Sequence, residues 1–384
     1  MESKLAFLLD IGVILLAANI GGIISKKLKQ PAVLGQILAG LILGMGILEK
    51  TETISHLAEI GVVFLMFIAG LETDVNELKA SGKSSSLIAL GGVITPFAFV
   101  AGGIYLVTNN FLASIFMGVI ATATSVSISV QTLREIGKMR SRQGIGILGA
   151  AIIDDVVGII LLTLIIGVVK PGENNNVLLV VGKIGIFFVI TFIVGFILIK
   201  IMSKISTKVN IEDKIVTFAI VFCFILAYVS EELGVAAITG AYFAGVVFSM
   251  TTHRHKLSHE VHKISSVIFT PIFFVAIGLG VDLKSAVSAL GIGLILVVLG
   301  ALGKVVGCGF GAKISGFNGK QALQIGIGMV PRAEVAIIIA NLGVAINAIS
   351  HQQLAAVIMM VLITTLVTPS MLKWSFAREE EQSA

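Results

Sequence analysis

The 384-residue sequence has little charge and little cysteine, and both shortages narrow its class. Only 13% of the residues are charged and 56% are hydrophobic, which leaves too few polar side chains to cover a water-soluble globule. Cys223 and Cys308 are the two cysteines and both lie in apolar segments, so neither a disulfide framework nor a cysteine-rich metal motif is encoded. The mean hydropathy of +1.04 instead predicts an integral membrane protein.

Long apolar runs, separated by clusters of charge, proline or asparagine, predict about thirteen transmembrane helices in an all-α polytopic protein. Most runs hold about 17–25 residues, enough to cross ~30 Å of hydrocarbon. We expect one membrane-embedded unit covering residues 1–384. The predicted spans are 5–25, 32–48, 54–71, 84–107, 111–133, 144–169, 177–200, 214–231, 233–250, 264–280, 286–312, 320–341 and 351–372.

The lysines and arginines give the predicted orientation. Segments on one side of these spans carry 20 of them and segments on the other side carry 4. Because cytoplasmic loops collect basic residues, the amino terminus is expected outside and the carboxyl terminus in the cytoplasm of a cell membrane. The net charge of +5 is spread over short loops and forms no continuous basic face, so nucleic acid is not an expected partner.

An internal repeat is visible at an offset of 208 residues. Gly70-Leu71-Glu72-Thr73-Asp74 ends the third span, and Gly278-Leu279-Gly280-Val281-Asp282 ends the tenth. The same offset places the Thr/Ser-rich segment 122–129 on the proline-containing segment 330–337. Seven spans separate the copies, so the repeats should be inverted, as in secondary transporters whose site lies where two interrupted helices meet.

Five charged residues fall at membrane depth, where each costs several kcal/mol unless it is paired or hydrated. They are Asp154, Asp155, Lys304, Arg332 and Glu334. A structural salt bridge explains one acid and one base but not two adjacent carboxylates. Neighbouring helical residues project about 100° apart, so one aspartate can face Lys304 while the other faces a water-filled cavity.

The second carboxylate is expected to bind a cation or a proton in turn. Na+ prefers oxygen ligands, which Thr122, Thr124, Ser125 and Ser127 can supply beside Asp155 together with carbonyls of an interrupted helix. Desolvation and the neighbouring carboxylate favour the protonated form, so proton and cation compete for one place. This competition gives antiport if the loaded site crosses the membrane and the empty, charged site does not. No cofactor is required.

Lys304 adds a second proton-linked element. It can pair with Asp154 when the ion site is empty and lose that partner, and its proton, when the cation binds. Two protons would then be exchanged for each cation, which would make the cycle electrogenic; the sequence leaves the stoichiometry open. One net charge is worth ~2.3 kcal/mol per 100 mV, so the membrane potential would drive cation efflux.

Four features of the sequence resemble those of a known family. The Asp154-Asp155 pair, the Thr/Ser-rich fifth span, Lys304 and the stretch Pro331-Arg332-Ala333-Glu334 are similar to NapA-type members of the monovalent cation:proton antiporter-2 family, over nearly the whole chain. The resemblance implies a sodium/proton antiporter fold with two crossed broken helices, and a protein that is a transporter and not an enzyme. It also implies that Asp155 binds Na+, that Asp154 pairs with Lys304, and that Arg332 and Glu334 compensate charge.

The resemblance further implies a homodimer in the lipid bilayer. Core helices at 54–169 and 264–372 would move like an elevator against scaffold and dimerisation helices at 1–48 and 177–250. Some relatives couple to K+, so Na+, Li+ and K+ all stay open as the cation. Two rivals come from other classes, a cation channel and an intramembrane aspartyl protease; the second normally takes its two aspartates from separate helices.

Overall fold

A computed structural model describes residues 5–169, 177–205, 214–281 and 289–383, and these residues form helices and short connections without strands. Residues Ser265–Phe269 form a π-helical turn. The helices are α1 Ala6–Lys27, α2 Ala32–Gly44, α3 Glu52–Glu72, α4 Val75–Thr108, α5 Phe111–Ile120, α6 Val126–Glu135, α7 Arg142–Val169, α8 Val177–Ile205, α9 Ile215–Glu232, α10 Ala237–Ser249, α11 Arg254–Ile264, α12 Thr270–Leu279, α13 Leu290–Ile314, α14 Gly319–Gly328, α15 Glu334–Ala345 and α16 His351–Ser383.

The all-α prediction is confirmed, and each of the thirteen predicted spans coincides, over its described residues, with a helix or a joined pair of helices. Within the described ranges, nine helical stretches are long and apolar enough to cross a membrane by length and composition. The pairs α5 with α6 and α14 with α15 each fill one predicted span and are interrupted in its middle. At 13 residues each, α2 and α10 are shorter than the predicted spans 32–48 and 233–250.

One compact unit contains the described residues of Met1–Thr51, Ser81–Asn175 and Phe274–Ala384. Its α7 packs against both halves of the first interrupted helix and against α14. Its α13 packs against α14 and α16. All five predicted site residues described above at membrane depth belong to this unit.

The other compact unit contains the described residues of Glu52–Ala80 and Asn176–Phe273. Glycines bring its α3 and α10 into backbone contact, since a Cβ added to Gly70 would lie 2.1 Å from the Tyr242 carbonyl oxygen. The buried Tyr242 hydroxyl donates to Thr73 Oγ1 at 3.3 Å. The predicted turn at 70–74 therefore ends a helix that is fixed in place by α10.

These contact units differ from the predicted core and scaffold at three places. Residues 5–51 group with α4–α7, whereas α3 and residues 264–273 group with α8–α11. Contacts within one conformation do not identify which helices move, so the division into a moving core and a static scaffold stays a prediction.

The helix bounds reproduce the 208-residue repeat. Adding 208 to both ends of α5 gives both ends of α14, and adding it to the first residue of α6 gives the first residue of α15. The two breaks, residues 121–125 and 329–333, therefore occupy equivalent positions. Asp282, the last residue of the second predicted turn, lies outside the described residues.

Candidate ion site at two interrupted helices

The first interruption exposes the end of one half-helix and the start of the next inside the protein. The α5 helix ends at the cap residue Ala121, and α6 begins after the extended N-cap residue Ser125. The Ser125 backbone N–H donates to the Pro331 carbonyl oxygen at 2.7 Å, across to the other interruption. The two broken helices therefore meet at their breaks, as the repeat predicts.

Arg332 lies between the carboxyl ends of both first half-helices. Its guanidinium, in a side chain that is 1% exposed, donates to the carbonyl oxygen of Ala121 at 2.7 Å and to that of Met329 at 3.2 Å. These are the cap residues of α5 and α14. Each helix end carries about half a negative charge, so one buried guanidinium offsets both ends. The role of Arg332 in compensating charge at the ion site stays a prediction.

Lys304 and Asp154 form a buried ion pair, as the sequence predicts. Lys304 Nζ lies 2.9 Å from Oδ1 and 3.0 Å from Oδ2 of the carboxylate. The two side chains are 0% and 1% exposed. Gly92 of α4 lies beside the ion pair, so the backbone of α4 covers the pair. A Cβ added to Gly92 would lie 3.4 Å from Lys304 Nζ.

The other two predicted carboxylates occupy distinct positions. Asp155 follows Asp154 on α7 and is half-buried, whereas its neighbour is buried. Glu334 is the first residue of α15, where a negative charge is favoured by the positive helix end. Its side chain lies outside the described part of the structure.

The hydroxyl groups of the first interruption divide into paired and unpaired ones. Thr122 Oγ1 donates to the Val119 carbonyl at 2.7 Å, and Thr124 Oγ1 contacts Arg332 at 3.5 Å. Ser125 Oγ and Ser127 Oγ are buried and have no hydrogen-bond partner among the described residues. Because an unpaired buried hydroxyl is costly, these two oxygens are suited to a ligand. Of the predicted ligands, Ser125 fits this geometry better than Thr124.

Two residues near the second interruption escaped sequence reasoning. Thr364 and Thr365 on α16 hydrogen-bond to the backbone of Arg332. A threonine within an apolar run gives no signal by itself, because most such hydroxyls bond within their own helix. The offset of 208 aligns them with Val156 and Val157, which follow the two aspartates on α7. This alignment alone indicates that they lie at the same level of the membrane as the aspartates.

Histidines on α11 lie on one exposed face. His255, His259 and His262 have the spacing of helical neighbours. No group of three or more His, Cys, Asp or Glu residues in the described ranges could hold a metal ion. The histidines are therefore not assigned to a metal centre.

Comparison with known proteins agrees with this geometry. The model of the family described as "Sodium/hydrogen exchanger, transmembrane" matches residues 13–378. The chain is 37% identical to the Na(+)/H(+)-K(+) antiporter GerN of Bacillus cereus over 98% of this chain and 97% of that one. It is 34% identical to an Na(+)/H(+) antiporter of Enterococcus hirae, over 94% and 96% of the two chains.

Solved structures give the same fold at lower identity. The sodium proton antiporter MjNhaP1 of Methanocaldococcus jannaschii at pH 8 superposes with a TM-score of 0.69 and 18% identity, over 96% of both chains. An electron-microscopy structure of MjNhaP1 gives a TM-score of 0.72 at 17% identity, over 98% of this chain and 96% of that one. From its interrupted helices, its buried ion pair and these matches, the chain belongs to the sodium/hydrogen exchanger family of multi-pass membrane transporters.

Proposed function

We propose that this protein is a secondary antiporter that exchanges Na+ for H+ at Asp155, by alternating access, and that it is not an enzyme. The observation that carries the proposal is the buried Lys304–Asp154 ion pair, one residue before a half-buried carboxylate. Such a charged cluster at membrane depth marks an ion pathway. The names of the antiporters from Bacillus cereus and Enterococcus hirae agree with the proposal.

Competition at one carboxylate explains the coupling. Asp155 holds either a proton or a Na+ ion, and Ser125 Oγ with Ser127 Oγ supplies further oxygen ligands. A neutral or compensated site crosses the membrane at low cost, whereas a bare carboxylate does not. Each cycle therefore returns protons in place of the cation.

The ion pair gives the second proton. When Na+ binds Asp155, Asp154 turns from Lys304 toward the cation, and the buried ammonium loses its counter-ion and then its proton. Two protons then cross for one Na+. The cycle is electrogenic, and the membrane potential contributes ~2.3 kcal/mol per 100 mV to Na+ efflux.

The setting of the exchange is proposed to be the cell membrane, with the amino terminus outside and the carboxyl terminus in the cytoplasm. The asymmetry of 20 to 4 basic residues supports this orientation. A homodimer with an elevator-like core is part of the same proposal, on the ground of the family resemblance.

K+ is a second candidate cation. GerN, at 37% identity, is named as an Na(+)/H(+)-K(+) antiporter. Both ions take oxygen ligands, and a small change in cavity size decides between them. We therefore propose Na+ as substrate and K+ as the alternative, with Li+ as a further ion to be tested.

The experiment is proton movement in proteoliposomes that hold the purified protein and an internal pH dye. External pulses of Na+, Li+, K+ and choline are compared, first with the native protein and then with Asp155→Asn. Exchange with Na+ but not choline, lost in Asp155→Asn, is the expected result. Asp10→Asn, which alters a carboxylate of α1, is the matched control and should keep exchange.

Other outcomes separate the rival functions. Full exchange by Asp155→Asn removes the central claim. Ion flux without any counter-flux of protons identifies a channel, and cleavage of a membrane peptide that is lost in Asp154→Asn identifies a protease. Exchange with K+ alone replaces the proposed cation by its alternative.

A further inference from the structure

The two interruptions are held in different ways, although the repeat makes them equivalent. At the second interruption, two threonines of α16 hydrogen-bond to the backbone N–H and carbonyl groups of Arg332. The Arg332 backbone N–H donates to Thr364 Oγ1 at 3.2 Å, and Thr365 Oγ1 donates to the Arg332 carbonyl oxygen at 2.5 Å. Both threonines are buried, at 3% and 1% exposure.

The first interruption has no such pair of hydroxyl groups at the equivalent height. Subtracting 208 from Thr364 and Thr365 gives Val156 and Val157 on α7. Valine has the shape of threonine without its hydroxyl, so it cannot bond to a backbone group. The buried Ser125 Oγ and Ser127 Oγ of this interruption also lack partners within the described residues.

We propose that Thr364 and Thr365 are positioning residues for cation exchange, which clamp Arg332 so that one interruption is rigid while the other keeps oxygen groups free for the ion. This inference rests on the proposed function. The clamp fixes the main chain of Arg332, and the main chain in turn directs the guanidinium to the carbonyls of Ala121 and Met329. Thr365 thereby acts on the ion site through Arg332, without touching the ion.

The guanidinium position matters because a charge displaced within a buried site is not screened by water. If Arg332 moves away from the Ala121 carbonyl, its guanidinium charge is no longer offset by the α5 helix end and repels a cation bound nearby. Loss of the clamp should therefore weaken Na+ binding more than it lowers the maximum rate.

The chain offers a matched set of variants for the test. Thr365→Val removes the hydroxyl, Thr365→Ser keeps it, and Thr368→Val removes another buried hydroxyl of α16. Thr368 Oγ1 donates to the Thr364 carbonyl at 2.6 Å within its own helix, so it serves as the control. We expect Thr365→Val to raise the half-saturating Na+ concentration at least fivefold, with Thr365→Ser and Thr368→Val within about twofold of the native protein.

A double-mutant comparison tests the route of action. If Thr365 works through Arg332, Thr365→Val adds little to the effect of Arg332→Lys, because the two changes disturb one unit. Independent effects that multiply would overturn the route. An unchanged half-saturating concentration in Thr365→Val would overturn the clamp itself.

A second measurement reads the clamp without transport. Hydrogen–deuterium exchange of a peptide covering 326–336 reports the backbone opening of the interruption. The proposal predicts faster exchange in Thr365→Val and native rates in Thr365→Ser; native rates in both would refute it. Native vesicles that exchange no cation would refute the proposed function instead, and the peptide result would still decide whether the clamp exists.

Discussion

At the residue scale, the buried Lys304–Asp154 pair is expected to stabilise the fold in addition to its proposed role in transport. Both side chains are fully buried, so removing one leaves an uncompensated charge in a medium that solvates it poorly. This pair links α7 to α13 across 150 residues of sequence. Its two roles can be separated by substitution.

Lys304→Gln should destabilise the protein by about 3–5 kcal/mol, because Asp154 keeps a buried charge without its partner. Melting of the detergent-solubilised protein measures this change. The double variant Lys304→Gln, Asp154→Asn should recover part of the loss, since both charges are then absent. The same variants report on coupling: voltage dependence of exchange that is unchanged in Lys304→Gln would leave the lysine a structural counter-ion only.

At the element scale, α4 packs closely against α13, the helix that carries Lys304. A Cβ added to Gly91 would lie 2.1 Å from the Gly307 carbonyl oxygen, and one added to Gly307 would lie 2.0 Å from that of Gly91. These distances are too short for any side chain. Backbone contact between the two helices is therefore possible only with glycine at both positions.

Gly91→Ala should force α4 and α13 apart, at a cost of about 1–3 kcal/mol for overpacking. Gly102→Ala on the same helix is the control, because a Cβ there meets nothing within 4 Å. Alanine is otherwise better than glycine in a helix by about 0.5–1 kcal/mol, so this control should be neutral or stabilising. Equal melting temperatures for the two variants would contradict the close packing.

Glu135 at the end of α6 caps a distant helix. Its Oε2 accepts a hydrogen bond from the Ala32 backbone N–H in the first turn of α2, while Oε1 accepts from Gln131 Nε2 at 3.0 Å. A carboxylate at this position satisfies a free N–H group and matches the positive helix end. The second half of the first broken helix is thereby tied to α2.

Glu135→Ala should cost about 0.5–2 kcal/mol, the usual range for a lost helix cap. The melting temperature checks this, with Glu232→Ala as control because Glu232 is an exposed carboxylate at the end of α9. A similar small effect of both substitutions would show that the cap contributes nothing to stability.

At the scale of the whole molecule, the orientation can be tested with single cysteines. The background is Cys223→Ala with Cys308→Ala, which removes the two buried native thiols. A membrane-impermeant maleimide should label Lys50→Cys in intact cells and Arg140→Cys only after permeabilisation. Labelling in the reverse order would invert the proposed topology.

The sequence predicted the helices and the positions of their interruptions, but not the hydrogen bonds between them. Apolar runs predicted the helices because a membrane imposes their length, and the spacing of 208 predicted where the two breaks would correspond. The hydrogen bonds from Arg332 to Ala121 and from Thr365 to Arg332 could not be predicted from the sequence. Both join segments far apart in the chain, and such contacts depend on tertiary packing that hydropathy does not encode.

The two residues of the ion pair are synthesised at different times. Asp154 and Lys304 are 150 residues apart, and ribosomes add about 5–20 residues per second. The aspartate of α7 is therefore made roughly 8–30 s before its lysine exists. Until α13 has been made, that carboxylate must be protonated or hydrated, because an unpaired charge in hydrocarbon is costly.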